Sequence, residues 1–444
     1  MRPLRRRPRL ESPVNASRAA RLLAASALVA LAQLGAPTAH AVSPPSIDDK
    51  WLPKPAPPAP PWPTLQRETC APMTTDATRG DRAPLVGDLP QVWRLTRGAG
   101  QRVAVIDTGV SPHPRLPNLV AGGDYVSTGD GTQDCDAHGT LVAGIIAAAG
   151  DSTPDGSAGV APEATVISIR QSSSKFVSAG DRSRSAVGDV DTMAKAVRTA
   201  ADLGASVINI SSIACVPVGS TLDDRALGAA LAYAVDVKNA VVVAAAGNSG
   251  GAAQCPRQRS DATWQTTTVV VSPAWYDDYV LTVGSVNAEG APSDFTLAGP
   301  WVDVAAPGET VTALGTQPVS GTSYAAPVVS GLAALIRARF PAFTARQVMQ
   351  RIESTAHHPP DGWDPLVGNG TVDALAAVST DSSPPETARP TPSPVPIVTP
   401  PQPTRPDRHA RDVALRGAAI CLVALIGLLA AGRLRASAHR VAGD

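Results

Sequence analysis

The sequence predicts an α/β fold with a central parallel sheet covered by helices on both faces, followed by one transmembrane helix near the C-terminus. Three observations carry this. Between about 91 and 378, short β-rich apolar runs alternate with longer runs of helical period. Glycine stops and Ser/Thr caps punctuate those runs where helices would begin and end. Near the end, VALRGAAICLVALIGLLAAG (413–432) is apolar apart from Arg416 and is long enough to cross a bilayer.

The elements follow in chain order. MRPLRRRPR is basic, LLAASALVALAQLG (22–35) is apolar, and Ala39-His40-Ala41 is a small-x-small pattern, so 1–41 reads as a secretory signal. Residues 42–90 contain LPKPAPPAPPWP and lack a core pattern of their own; they read as an extended, proline-rich arm tied down by Cys70. One domain is expected over 91–380. Its strands are QRVAVID (101–107), ATVISIR (164–170), ASVINIS (205–211), VVVAAAGN (241–248), YVLTVGSV (279–286) and WVDVAAPG (301–308). Its helices are 139–149, 189–204, 222–240, 323–340 and 344–356, the last capped by Thr344. Residues 381–412, rich in Pro, Ser and Thr, form a stiff solvated linker. The span 413–432 and a basic tail, 433–444, complete the chain. With a signal first and a stop-transfer helix last, 42–412 lies outside the cytoplasm and the tail inside.

Charge is balanced, 38 Lys and Arg against 38 Asp and Glu, so the totals show no nucleic-acid footprint. Cys421 falls in the span and reads as an apolar packing residue. Cys70, Cys135, Cys215 and Cys255 fall in an oxidising compartment, where disulfides persist. Three connectivities are open to them. No C-x-x-C pair or acidic cluster suggests a metal, and no cofactor is expected.

Three stretches carry chemistry. VAVIDTGV places Asp107 at a strand end, DAHGTLVAG places His138 before a helix start, and SGTSYAAP places Ser323 at another. A serine hydroxyl needs a base to become a nucleophile at neutral pH. Histidine can take and return that proton, and a buried aspartate fixes its tautomer. AAAGNSG adds Asn248, whose amide, with the Ser323 N–H, suits an oxyanion. Each piece alone is weak or moderate; the order Asp, His, Asn, Ser is specific. An α/β-hydrolase would need G-x-S-x-G and the reverse order, and position 325 is Ala.

With these motifs the chain resembles the subtilisin-like serine proteases (subtilases, S8-type peptidases) over about 95–376, which implies the subtilisin-like three-layer fold. The match in VIDTG, HGTLVAG, AAAGN and GTSYAAP assigns family roles to Asp107, His138, Asn248 and Ser323 only. The whole layout resembles the mycosins, membrane-anchored proteases of type VII secretion systems. That likeness implies the disulfides Cys70–Cys135 and Cys215–Cys255, and an arm that wraps the domain without inhibiting it. It also implies protein substrates secreted by such a system, association with its membrane complex, and either an endopeptidase or a mainly structural role there.

Other residues receive plainer readings. Asp134 and Asp136 read as a solvated loop, His357-His358 as surface, and Trp275, Tyr276 and Tyr279 as packing. Ser211 and Ser212 are placed at the cleft without a catalytic role. Ser212-Ile213-Ala214 departs from the Leu-Gly-Gly common at the substrate edge, and Tyr324 replaces the usual methionine. Pro327 is taken as lying in the first turn of its helix, where its missing N–H is little needed.

Overall fold

The computed structural model describes residues 41–73, 87, 89–150, 158–181, 186–251 and 254–379. The predicted signal up to residue 40, the linker, the apolar span and the tail lie outside them. Among the described residues no helix is long and apolar enough to cross a membrane.

After a single 3-10 turn at Asp49–Trp51, the elements are β1 (Thr64–Gln66), α1 (Leu89–Leu95), β2 (Arg102–Asp107), β3 (Leu119–Asp124), α2 (His138–Ala147) and β4 (Thr165–Arg170). Then come β5 (Phe176–Ser178), α3 (Val190–Asp202), β6 (Val207–Ile210), β7 (Ala214–Pro217), α4 (Arg225–Ala232) and β8 (Val241–Ala245). The described elements end with β9 (Val269–Ser272), β10 (Leu281–Val286), β11 (Val304–Pro307), α5 (Thr322–Arg339), α6 (Ala345–Thr355) and α7 (Ala374–Val378).

Seven strands form one sheet in the order β11-β10-β8-β6-β2-β4-β3, every neighbouring pair parallel. Strands β6 (VINI), β8 (VVVAA) and β10 (LTVGSV) are buried along their whole length, as sheets covered on both faces require. Helices α2 and α5 pack together, as do α3 and α4. The chain starts the sheet at β2, adds β4 and β3 on one side, and then builds outward through β6 on the other. The reversal leaves a crevice beyond the carboxyl ends of β2 and β6, where open α/β sheets bind ligands. Asp107 is the last residue of β2.

Helix α5 is small and apolar on every side and is buried from Ala325 through Ile336, as such a helix must be. Pro327 is its sixth residue, not part of its first turn. The proline therefore frees the carbonyl four residues back, that of Ser323. Ser211 Oγ donates to that carbonyl at 3.0 Å, so the gap is filled.

Most expected elements appear with ends moved by a few residues. Thr344 caps α6 in a reciprocal box with Gln347. The helix expected over 222–240 is shorter. It begins at Arg225 because the Asp224 carboxylate is taken by Ser272, Trp275 and Tyr276 instead of capping, and it relaxes into a π turn at Tyr233–Val237. The unforeseen strand β3 hides behind two glycines. Gly123, at φ 119°, could not carry a side chain, since a Cβ there would meet Pro58 Cγ at 2.2 Å.

Pro58 belongs to the arm, which runs extended over the domain. Val42 N–H donates to the Trp264 carbonyl at 2.8 Å. Arg198 holds the Pro53 carbonyl. Strand β1 pairs antiparallel with β5, Leu65 opposite Val177. The arm reaches the disulfide Cys70–Cys135. The second disulfide, Cys215–Cys255, ties β7 to the loop after β8, and β7 also pairs antiparallel with β9.

Candidate active site

The structure brings Asp107, His138 and Ser323 into one chain of contacts. His138 Nδ1 lies 2.6 Å from Asp107 Oδ1, and His138 Nε2 lies 3.0 Å from Ser323 Oγ. Asp107 is fully buried, and the Thr108 N–H also donates to its Oδ1 at 2.7 Å. The imidazole keeps 27% of its side-chain surface exposed, so one edge faces the cleft. Burial alone would lower the His138 pKa. The Asp107 charge and hydrogen bond prevail, with smaller help from Asp134 and Asp136, and hold it above the ordinary histidine value. A proton taken from Ser323 would therefore be well housed.

The turn presenting His138 is built by residues to which the sequence reading gave no role. Asp134 is not a solvated loop residue. Its Oδ1 accepts from Thr108 Oγ1 and from the N–H groups of Asp136 and Ala137; its Oδ2 accepts from the N–H and Oγ1 of Thr140. That carboxylate replaces the cap that Ala137, in the left-handed region at φ 66°, cannot supply. Asp136 is engaged too, by Ser173 and Ser174. Thr108 Oγ1 also accepts the Gly139 N–H at 3.0 Å, joining the end of β2 to the start of α2. Gly139 must be glycine, because a Cβ would fall 2.1 Å from the Gly109 carbonyl oxygen. A carboxylate six residues before a threonine in a first helical turn was the available signal.

Asn248 follows β8. Its Oδ1 accepts from the Thr322 N–H at 2.9 Å and from Thr322 Oγ1 at 3.0 Å. Thr322 Oγ1 in turn accepts the Gly247 N–H at 3.1 Å. With its oxygen held, the amide directs Nδ2 outward, and both Nδ2 and Ser323 Oγ border the open side of Gly321. The Ser323 N–H belongs to the first turn of α5, where donors have no intrahelical partner. Two donors and a nucleophile thus converge at a helix N-terminus, whose dipole favours negative charge.

His138, Asn248 and Ser323 line a cleft of about 630 Å³, together with Ser211, Ser212, Ile213 and Tyr324. The Tyr324 ring packs on the imidazole with centroids 5.1 Å apart. Burial and then the Asp107 and Asp134 charges push its hydroxyl up to about 12, so it stays neutral and narrows the cleft beside His138. His357 and His358 are exposed and do not line the cleft. Trp275 and Tyr276 are buried.

A hydroxyl, an imidazole, a buried carboxylate and an oriented amide at the switch point of a parallel sheet define a serine protease of the subtilisin kind. Residues 98–370 match the Subtilase family of S8 peptidases. Mycosin-4 of Mycobacterium tuberculosis is 68% identical, over 96% of this chain and 99% of its own length. The solved MycP3 protease from the type VII (ESX-3) secretion system is 45% identical and superposes with TM-score 0.70, covering 77% of this chain and all of that one. A chain of the intact ESX-5 inner membrane complex is 39% identical with TM-score 0.71, covering 88% of this chain and all of that one. This chain belongs to the mycosins, within the subtilase family, and is a subtilisin-like serine protease.

Proposed function

We propose that the protein is an extracytoplasmic serine endopeptidase of a type VII secretion system, held to the membrane by residues 413–432 and cutting proteins that the system secretes. The contact chain Asp107–His138–Ser323 carries this reading. Ser323 Oγ attacks the scissile carbonyl while His138 Nε2 takes its proton. Asp107 orients the ring and stabilises the imidazolium. The Asn248 amide and the Ser323 N–H hold the oxyanion. His138 then gives its proton to the leaving amine, and water repeats the sequence on the acyl-enzyme. Residues 1–41 act as a leader removed after Ala41, and likeness to a chain of the ESX-5 inner membrane complex supports association with such a complex.

Fluorophosphonate labelling of the full-length protein tests the chemistry. Wild type labels covalently and Ser323→Ala does not; equal labelling of both would remove Ser323 as nucleophile. The same ESX-5 likeness favours a second reading, in which the protein mainly stabilises the secretion complex. Under that reading, secretion survives Ser323→Ala and fails when the whole chain is deleted. If both changes have the same effect, the separate structural role falls.

A further inference from the structure

A second cavity, about 420 Å³, lies where the arm begins. It is lined by Val42 to Ile47 on one side and by Trp264 and the Trp275–Tyr279 turn on the other. The Val42 nitrogen sits at this cavity, with its N–H on the Trp264 carbonyl, and the Val42 side chain packs against the core. Ala41, one residue earlier, is exposed.

The charges around this cavity do not balance. Asp277 and Asp278 line it, and among the described residues neither carboxylate has an ion-pair partner. Arg346 is the nearby cation. Its Nε and Nη2 are engaged by Asp236 Oδ1, its Nη1 by the Asp278 backbone carbonyl, and its plane lies over the Tyr279 ring. Tyr276 is hydrogen-bonded to Asp224. Asp303 and Glu353, which do not line the cavity, are pushed up by burial and then by the charge of Asp277. Asp277, an exposed residue, is pushed up to about 6 by partial desolvation and by the charge of Asp278. The charged side chains that line the cavity, Asp277 and Asp278, are both acids.

We propose that this cavity captures the free N-terminal ammonium made when the leader is removed, and that processing thereby locks the arm onto the protease domain. The inference rests on the reading of 1–41 as a cleaved leader. Hydrolysis of the Ala41–Val42 bond by a leader peptidase consumes one water. It leaves a carboxylate on Ala41 and an amine on Val42, which is protonated at neutral pH. An amide nitrogen has one N–H, already spent on Trp264. An ammonium has three, so two remain for Asp277 and Asp278, and its charge supplies what the acids lack. Before cleavage the same place holds a neutral amide and no such bond is available.

The test uses full-length protein purified from membranes. N-terminal sequencing identifies the first residue. The rate of acylation of its α-amine by a limiting acylating reagent is then followed against pH by mass spectrometry. Capture places the α-amine midpoint at least one unit above the ordinary range of about 7.7–8.0, so that labelling at pH 7.5 is about tenfold slower than in an Asp277→Asn/Asp278→Asn variant. A protein that begins at Val42 but titrates at or below the ordinary range overturns the capture and leaves the cleavage standing, since burial without ion pairing lowers an amine. A protein that begins elsewhere overturns both. If the double variant does not fold, the wild-type midpoint alone decides.

Discussion

Thr322→Val probes how the oxyanion amide is held, and its cost can be worked from the contacts. Valine keeps the volume and branching of threonine but removes Oγ1. Asn248 Oδ1 then loses one of its two donors and keeps the Thr322 N–H. The Gly247 N–H, buried, loses its acceptor. Leaving one buried donor unmet costs about 1–3 kcal/mol and losing one hydrogen bond about 0.5–1.5 kcal/mol, so stability should fall by about 2–4 kcal/mol. The amide, pinned at one point instead of two, should misalign enough to slow acylation by about tenfold, or roughly 1.4 kcal/mol of the barrier. Asn248→Ala sets the outer limit at about 10²–10³, the loss found when a subtilisin is stripped of its own oxyanion asparagine. The assay is the second-order rate of fluorophosphonate labelling, because the phosphoryl oxygen must occupy the same hole, run beside a urea unfolding curve. If Thr322→Val labels within twofold of wild type while its stability falls as stated, the Thr322 hydroxyl does not position Asn248, and the reasoning fails.

Other outcomes follow from neighbouring features. Labelling should decline as pH drops through the His138 pKa, which Asp107 holds above 6.5, because only the neutral imidazole can accept the Ser323 proton. In Asp107→Asn that acid-side midpoint should move down and the rate should fall by about 10⁴, which a pH–rate profile would show. Gly139→Ala places a methyl 2.1 Å from the Gly109 carbonyl and should cost at least about 1–3 kcal/mol in a thermal melt, along with labelling. Removing either disulfide by paired Cys→Ser changes should cost up to about 4 kcal/mol in urea, given separations of 65 and 40 residues. Gly123→Ala should lift Pro58 from its seat, so limited proteolysis should cut the arm faster while labelling by fluorophosphonate stays near wild type.

The sheet and the reacting groups were legible because they are written in short, local patterns. Val- and Ile-rich runs mark β2, β6 and β8, and D-T-G, H-G-T, A-G-N and G-T-S mark the strand ends and helix starts that meet at the crevice. What supports those groups was not legible, because it depends on chain segments distant in sequence. Ser211 matters since Pro327 leaves a carbonyl open more than a hundred residues later. Asp134 looks like a loop acid until Thr108, Ala137 and Thr140 close around it. Strand β3 carries glycines where a strand would show β-branched residues; at Gly122 a Cβ would strike Ile167, Ile169 and the Ser168 carbonyl of β4, and at Gly123 it would strike Pro58 of the arm. Asp224 falls inside the helix expected over 222–240 and serves instead as the acceptor for Ser272 at the end of β9 and for Trp275 and Tyr276 in the turn after it.

The arm crosses the domain from Trp264 past Gly123 to Cys135, yet every described residue lining the catalytic cleft comes from Thr108 onward. Held at Trp264, at Arg198, along β5 and at Cys135, the described part of the arm is a strap sewn down at four places, so a break at one of them leaves three others to keep it on the domain.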